Sequence, residues 1–163
     1  MNIFYLHHDP RICAELALDK HTVKMCLEHT QILYTVYHMV NPELLLFSDY
    51  TPYKLTHKNH PCSKWARENY SNFLWLLTLA WEYCKEYTYR YNKIHACEKH
   101  ITWMVTNLPT DLPNGSMTQP PQAMPEQYKH EDSIQAYRNY YIGEKLSFAK
   151  YTKREFPEWL KKF

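Results

Sequence analysis

Residues 16–31, Leu-Ala-Leu-Asp-Lys-His-Thr-Val-Lys-Met-Cys-Leu-Glu-His-Thr-Gln, decide how the rest of the chain is read. At about 100° per residue, His21, Lys24, Glu28 and Gln31 fall within one arc of roughly 80°, with Lys20 at its edge. Apolar positions border that arc: Ile12, Leu16, Val23, Leu27 and Tyr34 on one side, Leu18, Met25, Ile32 and Val36 on the other. A surface helix has a broad polar face and one apolar stripe. The inverted proportions predict a central helix that turns a thin polar ribbon into a cleft. An imidazole, cations, a carboxylate and an amide in one groove can hold a phosphate and move a proton. The plainer reading of Lys24 and Glu28, four residues apart, is an ordinary helical ion pair.

Upstream, Ile3 to Leu6 reads as a short extended segment, with Asp9 as an N-cap and Pro10 in the first helical turn. The first helix is expected to run to about Met39, where Asn41-Pro42 stops it. After a loop over residues 41–60, Asn59-His60-Pro61 opens a second long helix, rich in apolar residues from Trp65 to Cys84 and reaching Arg90. A third helix spans Lys93 to Val105. Residues 106–130 contain Pro109, Pro113, Pro120, Pro121, Pro125 and Gly115, which leaves no room for a regular element. Asp132 or Ser133 caps a last helix from Ile134 to about Tyr151, and Phe156 to Trp159 form a closing turn. Strand signals are nearly absent. The expected fold is all-α: a compact single-domain bundle of about four helices over residues 1–163, with a long Pro-rich loop.

Composition narrows the function. With 163 residues, 45% of them hydrophobic, the chain can bury a real core. Only two glycines occur, Gly115 and Gly143, and no glycine-rich phosphate loop is present. A net charge of +2 neither demands nor excludes a polyanionic partner, so nucleic-acid contact would depend on local clusters. Five scattered cysteines without CxxC spacing suit a reducing cytosol. No signal peptide or membrane span is evident, so a soluble cytoplasmic protein without membrane contact is expected.

Beyond the ribbon, His57-Lys58-Asn59-His60-Pro61-Cys62 is the second dense polar cluster. Its spacing permits a zinc reading but does not complete a ligand set, so no metal and no cofactor are assigned. The better reading puts His60 at a helix start, where backbone N–H groups attract anions. Lys64, Trp65 and Arg67 follow. Near the C-terminus, Tyr137, Arg138, Tyr141 and Lys145 interleave aromatics with cations, and Arg138, Tyr141 and Lys145 share a helical face. Such a face suits stacking plus phosphate contact, although tyrosines at helical spacing are commonly core residues. Cys26 faces away from the ribbon.

Glu15-Leu16-Ala17, Asp19-Lys20-His21 and Glu28, seven residues beyond the histidine, resemble the first helix of the phage-type pyrimidine-dimer DNA glycosylases. Residues 137–145, Tyr-Arg-Asn-Tyr-Tyr-Ile-Gly-Glu-Lys, look like the aromatic segment of that family. The whole chain also resembles uncharacterised phage-encoded proteins that share its Asn-Ile-Phe, Asp-Pro, Asp-Lys-His, His-Pro-Cys and Ala-Tyr-Arg landmarks. The glycosylase resemblance implies a small all-α enzyme of the base-excision class, working in the host-cell cytoplasm if phage-encoded. It also implies a catalytic carboxylate at Glu28 and DNA contact at His21. The family nucleophile is a free α-amine exposed by methionine removal. Asn2 disfavours that removal, so the amine here would be that of Met1.

The leading expectation is therefore a glycosylase-like protein acting on a nucleic-acid base or nucleotide. Glu28 and His21 would be catalytic. Lys20, Lys24, His57, His60, Lys64, Arg67, Arg138 and Lys145 would hold phosphate, and Trp65, Tyr137 or Tyr141 would stack on a base. A second expectation is a protein that sequesters or cleaves a small nucleotide immune signal, such as a cyclic nucleotide or an ADP-ribose derivative, in an anti-defence role. A third is a non-enzymatic interaction protein.

Overall fold

A computed structural model describes residues 1–163. It is helical and contains no strand. Its helices are α1 (Pro10–Glu15), α2 (Asp19–Val40), α3 (Pro61–Ala66), α4 (Tyr70–Tyr91), α5 (Glu98–Thr106), α6 (Ser133–Tyr140) and α7 (Glu158–Lys161). Short 3-10 turns lie at Pro42–Phe47, Glu126–Tyr128 and Leu146–Phe148, and a π-turn at Tyr141–Lys145. The helices are more numerous and mostly shorter than the expected four, and no helix is long and apolar enough to cross a membrane.

Two long helices break where periodicity alone would continue them. The first parts at Leu16–Leu18, because long-range donors take the freed carbonyls. Arg90 Nη2 donates to the Glu15 carbonyl (3.0 Å) and the Tyr151 hydroxyl to that of Leu16 (3.0 Å). The second breaks after Ala66. Asn69 then caps α4, its Oδ1 accepting from the Asn72 N–H at 2.9 Å. Asn92, in the left-handed region at φ 53°, ends α4. The last helix stops at Tyr140 rather than near Tyr151, passing through the π-turn, where the Tyr128 ring lies against Gly143 too closely for a Cβ.

α2 and α4 pack against each other, with α1 and α5 also seated on α4. The core is one cluster that includes Leu6, Leu33, Tyr37, Phe73, Tyr83, Met104 and Tyr141. Burying each such side chain contributes about 1.5–3 kcal/mol. Along α2 the expected apolar flank is only partly buried: Val23 and Leu27 face solvent. Leu27 and Gln31 instead line a cleft of about 570 Å³ with the loop at 51–56.

Residues 107–132 form a strap without regular helix apart from one short turn. Side chains from the body satisfy its backbone. Trp65 Nε1, Asn69, Ser71 and Ser133 donate to the carbonyls of Thr118, Ser116, Gly115 and Pro120. Tyr137 donates to Pro121 at 2.6 Å, and Asn72 holds Thr118 from both sides of its amide.

Candidate functional site

The site is built around the first residues of the chain. Terminal segments are poorly ordered unless something ties them down, and here residues 1–6 are tied at every step. Asn2 donates from Nδ2 to the Ala123 carbonyl of the strap (2.9 Å), while its Oδ1 accepts from the Ile3 and Phe4 N–H groups. His29 Nε2 meets the Ile3 carbonyl at 3.2 Å, and the Arg138 guanidinium donates twice to that of Leu6. Phe4 takes φ 56° and lays its ring on His21, with centroids 4.0 Å apart. Met1 is half-buried against the core.

This anchoring leaves the Met1 ammonium and the Glu28 carboxylate of α2 both near enough to His60, at the start of α3, to act on its charge. His60 titrates below the usual histidine range. Burial is the main cause, followed by the Met1 ammonium and His57, with Glu28 opposing them. Its Nδ1 accepts from the Cys62 N–H at 3.1 Å, so the ring is placed as the neutral tautomer with its proton on Nε2. Burial pushes the Cys62 thiol up to about 12; the same ammonium lowers it and Glu28 raises it. A thiol so placed is protonated and inert. Glu28 is half-buried and pairs with Lys24 at 3.2 Å, while the Lys24 side chain is largely in solvent. His57, at φ 47°, stands on the exposed loop with its Nδ1 2.6 Å from the Thr56 hydroxyl. No group of three or more His, Cys, Asp or Glu side chains converges as a metal site.

The other residues singled out from sequence divide into three groups. His21 turns inward: Nδ1 lies 2.6 Å from the Tyr141 hydroxyl and the ring is 6% exposed. Burial, helped by Lys145, Lys24 and His29, drops its pKa to about 3. It forms a buried, neutral wall of the site beside the Tyr141 hydroxyl. Tyr137 and Tyr141 are fully buried, so neither offers a face for stacking, and Trp65 shows only a small edge. Arg138 is a strut under Leu6, with Trp159 beneath its guanidinium (5.3 Å).

The second group is cationic and exposed. Lys20 Nζ lies 4.6 Å from the Phe148 ring centroid, and Lys145 Nζ lies 4.8 Å from that of Tyr140. Both lie toward the His21 side of Glu28. The third group, Lys64 and Arg67, lines a cleft of about 600 Å³ on the other side of His60, beginning at Pro61. None of the larger clefts encloses Glu28 itself, which is half-buried and paired with Lys24. At the start of α3 the His60 ring itself accepts the Cys62 N–H, one of the donors that the expected anion-binding helix start would offer.

Sequence reasoning missed the anchoring roles of Asn2 and Phe4. The signal for Asn2 was present, a polar residue opening the apolar run Ile3 to Leu6. Phe148, the aromatic that does meet lysines, carried no periodic signal. The chain matches no protein family, no curated relative and no solved structure. The chemistry therefore rests on the geometry of the cluster.

Proposed function

We propose that the protein is a DNA-glycosylase-like enzyme of the base-excision class, with the Met1 amine, Glu28 and His60 as its reacting groups. What supports this reading is a chain start pinned to α2, α6 and the strap, with the Met1 ammonium and Glu28 both acting on the charge of His60. The resemblance of residues 15–28 to the glycosylase helix points the same way.

In this reading the neutral Met1 amine attacks the sugar carbon C1′, and the bond from C1′ to the base breaks. The departing base takes up a proton. Loss of the amine proton and opening of the sugar ring leave an imine. Glu28 would stabilise the positive charge that develops on the sugar. His60, uncharged at neutral pH with its proton on Nε2, would hold that N–H toward the sugar, and the proton that the ammonium must lose before attack would pass to water. Lys20, Lys24 and Lys145 on one flank would meet phosphates of the strand. Borohydride trapping on damaged or abasic duplex tests the imine directly. A covalent adduct at Met1, located by peptide mass, is expected; release of base without any adduct would replace the amine mechanism by one in which Glu28 activates water.

A second reading, binding of a small nucleotide, is favoured by the cleft beside His60, whose size is in the range of small-molecule sites. Salt response separates the two. Six phosphate contacts would lower affinity roughly 10³-fold between 50 and 200 mM salt, whereas one to three give a shallow slope.

A further inference from the structure

Four of the five arginines are engaged by the protein. Arg11 pairs with Glu15, Arg90 with Glu86 and Asp19, Arg154 with Glu86 and Glu15, and Arg138 grips the Leu6 carbonyl. Arg67 is the exception. Its Nη1 is buried with no acceptor, and only burial acts on its guanidinium. The rest of this half-buried guanidinium reaches solvent without a carboxylate partner, and an oxyanion in charge-assisted contact is the ligand chemistry that suits it.

Arg67 opens into the cleft of about 600 Å³ between α3 and the strap, together with Lys64. Two of the other polar groups on its walls are engaged, while the exposed Glu68 carboxylate accepts only from Thr118. Thr118 donates to Glu68, the one carboxylate there, at 3.5 Å, and Gln119 accepts from the Ser133 N–H at 2.7 Å. Lys64 and Arg67 are thus the donors left for a ligand. Pro61 and Pro121 line this cleft and also a second one of about 670 Å³ that reaches His130 and Lys129. The two clefts adjoin at Pro61 and Pro121, and we take them together as a trough that passes Pro61, the residue next to His60. Lys129 is paired with Glu126, so the cationic end of the trough is the Arg67 end.

We infer that this trough is a phosphate-binding strand path, anchored where Arg67 and Lys64 grip one phosphodiester of the strand led past His60. Naming the ligand a nucleic-acid strand rests on the base-excision reading; the phosphate chemistry at Arg67 does not.

The test uses the full chain and three probes: a fluorescent duplex containing an abasic site, adenosine 5′-monophosphate and inorganic pyrophosphate. Arg67→Gln is expected to weaken duplex binding about tenfold and to reduce the slope of log affinity against log salt by about 0.9, one phosphate contact. Arg67→Lys should restore the slope while leaving affinity below wild type, because it keeps charge but loses the bidentate fork. Circular dichroism of each variant verifies the fold. Unchanged affinity and slope in Arg67→Gln would overturn the trough, even if Glu28→Gln abolished base release. Arg67-dependent binding of the monophosphate or pyrophosphate, with no duplex binding, would keep the phosphate site, assign it to a free nucleotide and remove the strand. Failure of all three probes to bind wild-type protein would overturn the inference outright.

Discussion

Phe4 holds a bulky side chain in the left-handed region, at φ 56°, a conformation that costs an ordinary residue of the order of 1–3 kcal/mol. Its ring is buried on His21, so Phe4→Ala should destabilise by about 3–5 kcal/mol. Phe4→Gly loses the same ring but removes the backbone strain. Urea unfolding is therefore expected to find the glycine variant no less stable than the alanine variant, against the usual order. Glu28→Gln keeps the shape and removes the charge. Base release should fall by 10²-fold or more, with duplex affinity nearly unchanged; equal activity would remove Glu28 from the chemistry. Because burial and the Met1 ammonium depress His60, the acid limb of any rate that needs neutral His60 should lie below pH 6.5, the ordinary histidine value. His60→Ala should abolish that limb.

Between elements, one buried network fastens the α1–α2 break to α4 and the C-terminal segment. Arg90, with no exposed side-chain surface, donates to Glu86 at 2.8 Å and Asp19 at 3.0 Å; Arg154 meets Glu86 twice at 2.9 Å. Burial raises the Glu86 and Asp19 carboxyls, but their hydrogen bonds outweigh it, and both end below the ordinary range. Arg154 and Arg90 hold Glu86; Thr152 and Arg90 hold Asp19. Groups depressed in the folded state stabilise it above their unfolded values, near pH 4, and that contribution is lost as pH falls through the folded values. Thermal melts should thus drop steeply below pH 4. Arg90→Met leaves Glu86 held only by Arg154 and Asp19 only by Thr152, and is expected to cost about 3–5 kcal/mol at neutral pH, with a weaker acid dependence. An unchanged acid profile in that variant would show that other carboxylates dominate.

The same network explains which elements were legible. The helical class follows from 3.6-residue periodicity and from capping residues such as Asp9 and Asp132, all local signals. The break at Leu16–Leu18 has no local cause. Its carbonyls are taken by Arg90 and Tyr151, more than seventy residues away, and without them the periodicity continues across the gap. The site divides in the same way. The Lys24–Glu28 pair and the helix start at His60 are local patterns. The inward turn of His21 depends on Tyr141, 120 residues further along, and the exposure of Val23 and Leu27 depends on what fails to cover them.

Across the whole molecule, the strap has the composition of a linker and the hydrogen bonding of a core element. Its five prolines restrict the unfolded chain, so ordering it forfeits less entropy than ordering a glycine-rich loop of equal length. The body side chains that hold it belong to α3, α4, α6 and Asn2, so it is sewn to each part of the candidate site. Residues 107–128 contain no lysine or arginine, so a broad-specificity protease is the informative probe. Proteinase K should leave the segment intact until the protein unfolds globally, and cleavage there should track the urea melt. A nick within the strap in native buffer would instead assign it to a locally opening unit. The consequence reaches protein engineering: insertions or fluorophore attachments directed to this tempting proline-rich stretch would pry open the wall of the trough and the anchor of the chain start, whereas the protruding Leu46–Phe47 turn, exposed and outside both, would tolerate them.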